Sequence, residues 1–173
     1  MNMNLKKSFL PPLIIFCFFL IDGVLAALFS KTFYDGNFVL VPRLIVISFV
    51  MMSFYLPRNK MLLYAIIFGL LYDSYYSGVL GVYVALFPII VYITEKLKKV
   101  LNPNVLVVGM MLIINLSMVE GALYLFYQVL GQNTMDVNSF LAERLGPTLL
   151  LNSAIFIFLY FPLKKTILKL TES

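Results

Sequence analysis

The stretch MLLYAIIFGLLYDSYYSGVLGVYVALFPIIVYI, Met61–Ile93, decides the fold. It holds two apolar runs, Met61 to about Tyr76 and Val79 to Ile93, joined by Ser77-Gly78-Val79-Leu80-Gly81. Glycines at 78 and 81 permit a tight reversal because they lack a Cβ, so the runs read as a helical hairpin. Each run is about 16 residues, or roughly 24 Å at 1.5 Å per residue. That is short of roughly 30 Å of hydrocarbon, a gap that local bilayer thinning can close. A hairpin that re-enters on one side is the alternative.

Working outward, the same apolar character fills the chain. Of 173 residues, 62% are hydrophobic and 12% charged, and the mean hydropathy is +0.97. A soluble domain would be about half apolar and a quarter charged. Four further runs flank the hairpin: Ser8–Phe29, with Pro11 and Pro12 in its first turn; Phe38–Leu56, ended by Pro57; Val105–Leu130, with Pro103 at its first helical position; and Leu145–Phe161, closed by Pro162. A proline in a first turn costs little, whereas one beyond a helix stops it. No linker or long polar loop separates the runs. The sequence predicts an all-α integral membrane bundle of about six transmembrane helices, a single membrane-embedded domain over 1–173. Lys6, Lys7, an apolar core and Val24-Leu25-Ala26 resemble the regions of a cleaved signal peptide; Asp22 and the length of the run argue against that reading.

Charge placement orients the bundle. With the amino terminus cytoplasmic, one side holds Lys6, Lys7, Arg58, Lys60, Lys96, Lys98, Lys99, Lys164, Lys165 and Lys169, and the other keeps Lys31, Arg43 and Arg144 beside Asp35, Asp136 and Glu143. Such asymmetry follows the positive-inside rule with both termini in the cytoplasm. It also accounts for the net charge of +5 without nucleic acid as a partner. The Lys-rich loop Glu95-Lys96-Leu97-Lys98-Lys99 reads as an orienting element, with contact to anionic lipid or a cytoplasmic partner as the alternative. With no His and one cysteine, Cys17, the chain lacks the residues for a His-based zinc site, a Cys-His nucleophile or an intrachain disulfide. No catalytic, metal or cofactor site is expected.

Charged groups at membrane depth cost roughly 2.5 to 3.5 kcal/mol each on insertion scales, so each needs a reason. Four stand out: Asp22, Arg43, Asp73 and Glu120. Counted from the helix ends, with Lys31, Gly36, Lys60 and Gly131 as markers, all four fall in the outer half at 1.5 Å per residue. They are expected to form one intramembrane polar cluster with Arg43 as its cation. Internal glue that fixes helix order is the plain reading; a ligand pocket is the functional one. Asn115, Ser117, Asn152 and Ser153 read as interhelical hydrogen-bonding residues. Tyr72-Asp73-Ser74-Tyr75-Tyr76 reads as part of an interfacial aromatic belt.

Phe68-Gly69-Leu70-Leu71-Tyr72-Asp73, followed by Ser77-Gly78-Val79-Leu80-Gly81-Val82-Tyr83, resembles the hallmark region of the MreD rod-shape-determining family, in which a helix carrying Gly-Leu-x-x-Asp leads into a small-residue turn and a second helix. Gly69 and Asp73 match the motif, and Gly78 and Gly81 match the turn. The resemblance implies a non-enzymatic subunit of the bacterial elongation machinery in the plasma membrane. Its implied partners are MreC, with one membrane helix and a periplasmic coiled coil, the peptidoglycan synthases, and an MreB-type filament below. The family has also been likened to the substrate-binding subunits of vitamin transporters, which makes a small-molecule transporter subunit the second reading. The outer loops here are too short for such a binder's lid, apart from Gly131 to Arg144. A lipid-modifying enzyme would need paired acids with a His, Ser or metal constellation near the inner face, which is missing.

Overall fold

A computed structural model describes residues 2–28 and 38–171, with side chains for 9–28 and 38–169. Phe29, Lys31, Asp35, Gly36 and the side chains of Lys6 and Lys7, all used in the readings above, lie outside the described residues. Among the described residues there are six helices longer than ten residues: α1 (Asn2–Leu28), α2 (Leu44–Tyr55), α3 (Arg58–Tyr72), α4 (Val82–Leu97), α5 (Val105–Val129) and α6 (Gly146–Thr171). No strand occurs among the described residues. Three stretches are long and apolar enough to cross a membrane: Phe9–Leu28, Val105–Val129 and Val137–Lys169. The others are shorter, at 12 residues for α2, 15 for α3 and 16 for α4.

The short α2 is the axis of the molecule. Every residue from Leu44 to Ser53 is buried, and the helix packs against α1, α4, α5 and α6. A helix apolar on all sides belongs inside a bundle. It is also shorter than the run that predicts it, because residues 38–43 are not helical. Pro42 has no N–H to give a helix and disfavours helical backbone at Val41. Non-helical backbone at this depth is tolerated only where protein satisfies it, and α6 does so. Val41 N–H donates to Thr148 Oγ1 at 3.2 Å, Asn152 Nδ2 donates to the Val41 carbonyl at 2.8 Å, and Asn152 Oδ1 accepts from Arg43 N–H at 2.7 Å.

Pro57 follows the end of α2 as expected, whereas other prolines lie within helices. Pro11 and Pro12 lie inside α1, since its backbone is helical from Asn2, and Pro162 lies inside α6. Helix α6 runs on to Thr171 because Leu163 and Ile167, one and five residues past the proline, are buried in the core. Packing of those side chains outweighs one lost backbone hydrogen bond. Pro103 precedes the helix rather than starting it: Asn104 is the cap, its Oδ1 accepting from Val107 N–H at 2.8 Å.

Helices α3 and α4 form the expected hairpin. A π-helical turn, Asp73–Ser77, extends α3, and Gly78 and Gly81 then reverse the chain with φ of 68° and 111°. Only glycine adopts these values at no steric cost. Gly69 lets the two helices touch: a Cβ there would lie 2.7 Å from Val84 Cα and 2.8 Å from the Tyr83 carbonyl oxygen. Both neighbours are backbone and cannot swing aside. Gly69→Val is therefore expected to lower stability by about 1 to 3 kcal/mol, the usual range for overpacking, read as the midpoint of unfolding in mixed micelles. A midpoint equal to that of the parent would contradict the close approach.

The helix directions gather the described lysines and Arg58 at one end, here called basal. Lys98 Nζ reaches the Ser53 carbonyl near the end of α2 at 2.6 Å and also pairs with Glu95. Arg58 and Lys96 both lie over the Tyr92 ring, 5.4 and 5.6 Å from its centroid. The Lys-rich loop is thus bonded into the bundle as well as charged. Arg43 and Arg144 lie at the opposite, upper end.

Candidate functional site

Three buried carboxylates lie in the upper half of the bundle: two cap helices and one pairs with charge. Asp73 leaves the end of α3 and caps α4 from outside it. Its carboxylate accepts from the N–H groups of Gly81 at 2.8 Å, Tyr83 at 2.9 Å and Val84 at 3.2 Å, while its own carbonyl accepts from Gly78 N–H. The first N–H groups of a helix have no partners within it and carry its positive dipole end, so a buried carboxylate is at home there. The four residues that carry the motif therefore build the hairpin: Gly69 closes it, Gly78 and Gly81 turn it, and Asp73 ties the turn to α4. Asp73→Ala should cost about 1 to 2 kcal/mol, as lost caps do, with amide exchange accelerating at Tyr83 and Val84. Unchanged exchange there would argue against the cap.

Asp22 caps α2 in the same way from a different helix. Projecting from α1, it accepts from Leu44 N–H at 2.7 Å and Ile45 N–H at 3.0 Å. The non-helical residues before Leu44 and the lack of a local side-chain cap at Arg43 leave those amides to Asp22.

Glu120, on α5, is the carboxylate that meets charge. It is fully buried and binds Arg43 through Nε at 2.9 Å and a terminal nitrogen at 2.7 Å, and Arg144 through Nε at 3.0 Å. The other terminal nitrogen of Arg43 donates to the hydroxyls of Tyr72 at 3.1 Å and Tyr83 at 2.8 Å. Its guanidinium also lies 5.4 Å from the Tyr83 ring centroid, within cation–π range. A single salt bridge thus joins α2 to α5, with α3, α4 and the segment before α6 fastened to it.

Arg43 and Glu120 are in direct contact; Asp22 lies close by on the same cavity wall as Arg43, and Asp73 is one step removed, through Tyr83. Five further residues take part, and of these only Asn152 reads in the sequence as a hydrogen-bonding residue. Arg144 looks like a loop cation but is a second partner of Glu120. Tyr72 is buried and bonded to Arg43, whereas Tyr75 is exposed and suits the interfacial belt. Tyr83, Thr148 and Asn152 complete the set. The pairing of Val41 and Arg43, on either side of Pro42, with Thr148 and Asn152 had one signal: a proline inside an apolar run demands donors and acceptors elsewhere at its depth.

Above the salt bridge lies a cavity of about 260 Å³, bordered by α1, the non-helical segment, the hairpin tip, α5 and Arg144. Among the described residues no three His, Cys, Asp or Glu side chains gather as metal ligands.

Residues 6–170 match the family profile described as rod shape-determining protein MreD. The chain belongs to the MreD family. The rod shape-determining protein MreD of Bacillus subtilis (strain 168) is 30% identical over 158 residues, 91% of this chain and 92% of that relative. No solved structure matches the chain. As an MreD-family membrane protein, the chain has a role in cell shape and associates with the rod-shape machinery.

Proposed function

We propose that this MreD-family chain is a non-enzymatic scaffold that holds an MreC-type partner by its membrane helix and so positions peptidoglycan synthases, with the basal end in the cytoplasm near an MreB-type filament. Family membership over nearly the whole chain carries the reading. The geometry supports it in two ways. The carboxylates of the upper half are engaged in capping helices and pairing helices, which is the work of a rigid frame. The cations of the basal end match the cytoplasmic side by the positive-inside rule.

A place for the partner helix is a groove of about 290 Å³ between α4 and α5, lined by Leu80, Gly81, Val82, Ala85, Ala122 and Phe126. Small residues let helix backbones approach closely, the main source of helix association in lipid. Introducing Ala85→Phe together with Ala122→Phe should lower recovery of co-expressed MreC at least tenfold while the melting midpoint stays near the parent's. Full recovery of MreC with both phenylalanines in place would remove this groove as the contact. A vitamin-sized ligand, the alternative, fits less well, since drug-sized ligands occupy cavities of about 300 to 1,000 Å³ and the upper cavity is smaller.

A further inference from the structure

The upper cavity is not used by the scaffold reading, and its lining is chemically one-sided. Its two guanidinium groups, Arg43 and Arg144, face one lining carboxylate, Asp22, which is engaged by the Leu44 and Ile45 amides; Glu120, bound to both guanidinium groups, is not part of the lining. Arg43 is buried and Arg144 half-buried. Arg144 spends Nε on Glu120, which fixes the plane of its guanidinium, and leaves both terminal nitrogens without a partner among the described residues. Arg43 retains one N–H after its bonds to Glu120, Tyr72 and Tyr83. The Tyr127 hydroxyl on the wall also has no partner among the described residues. Donors therefore outnumber open acceptors, and two guanidinium groups share the one side-chain carboxylate that pairs with them. Guanidinium forks bind carboxylate and phosphate in two-pronged, charge-assisted fashion.

We propose that this cavity is a binding site for one oxyanion, the phosphate of a lipid headgroup or a free phosphate, gripped by the terminal nitrogens of Arg144 with Arg43 behind. The two sources present the same group, and the small volume admits a headgroup while excluding a large solute. The site is independent of the lateral groove, so the two stand or fall separately.

The test uses the full-length protein purified in detergent in phosphate-free buffer, as parent, Arg144→Gln and Ala26→Leu. Ala26 lines the cavity and carries no charge, so leucine there fills the space while every charged group stays in place. That variant preserves the test should Arg144→Gln fail to fold. Inorganic phosphate should raise the melting midpoint of the parent saturably, with affinity at least tenfold weaker in both variants, if the anion is free. If it is a lipid, native mass spectrometry should find phosphatidylglycerol on the parent and not on the variants, with no effect of phosphate. Absence of both signals in the parent, equal binding in parent and variants, or binding of an acidic peptide alone would overturn the site.

Discussion

Arg43→Leu is expected to destabilise the protein by about 3 to 5 kcal/mol, the usual cost of breaking a buried ion pair by removing one partner. The charge left behind, on Glu120, is fully buried, and only half-buried Arg144 remains to meet it. Lys60→Leu, at an exposed basal position, should move stability by about 0.5 kcal/mol or less. Unfolding of the two variants in mixed micelles reads the difference. A second comparison separates the pair from the arginine's packing: Arg43→Leu combined with Glu120→Leu removes both charges, and apolar replacement of a whole buried pair is often nearly neutral. The double variant should therefore be more stable than either single one. If Arg43→Leu melted like Lys60→Leu, the salt bridge would not be what joins α2 to α5.

The same residues show what could be read from the chain and what could not. Helix number follows from the apolar runs, and the hairpin from Gly78 and Gly81, because run length and glycine freedom are local properties. Counting 1.5 Å per residue was enough to bring Arg43 and Glu120 level. The partners of Asp22 and Asp73 were hidden for a simple reason: they are backbone N–H groups, which every residue but proline carries, so no residue type marks them. Arg144 was hidden because the chain between Val137 and Gly146 continues towards α6 as short helical and π-helical turns and brings a loop cation over Glu120. Prolines were ambiguous in the same way. Pro42 lies in non-helical backbone before α2 and Pro162 within a helix, and the difference lies in what packs around them: α6 supplies hydrogen bonds at the first, and buried Leu163 and Ile167 carry the helix past the second. Helices apolar on every side give no periodicity to reveal this in advance.

Replacing Asp22 should produce the second large effect. Helix α2 begins inside the bundle, so its first amides have no water to turn to, and Asp22 meets two of them. Asp22→Leu leaves both Leu44 and Ile45 N–H groups unsatisfied at a site where the carboxylate is 3% exposed. Each buried orphan donor costs about 1 to 3 kcal/mol, which gives about 2 to 6 kcal/mol together. Asp22→Asn keeps one acceptor oxygen of nearly the same shape and should lose about half as much. This graded order distinguishes a capping carboxylate from one that acts by charge alone, for which Asn and Leu would be equally harmful. Hydrogen exchange should rise first at Leu44 and Ile45, then along α2, because the cap fixes the end from which that central helix frays. Since α2 also carries the main-chain link to Arg43, its loosening should reach the salt bridge, and cells relying on Asp22→Leu alone should round up while those with Asp22→Asn retain partial rod shape. Equal exchange at Leu44 in parent and Asp22→Leu would show that the carboxylate does not hold the helix end.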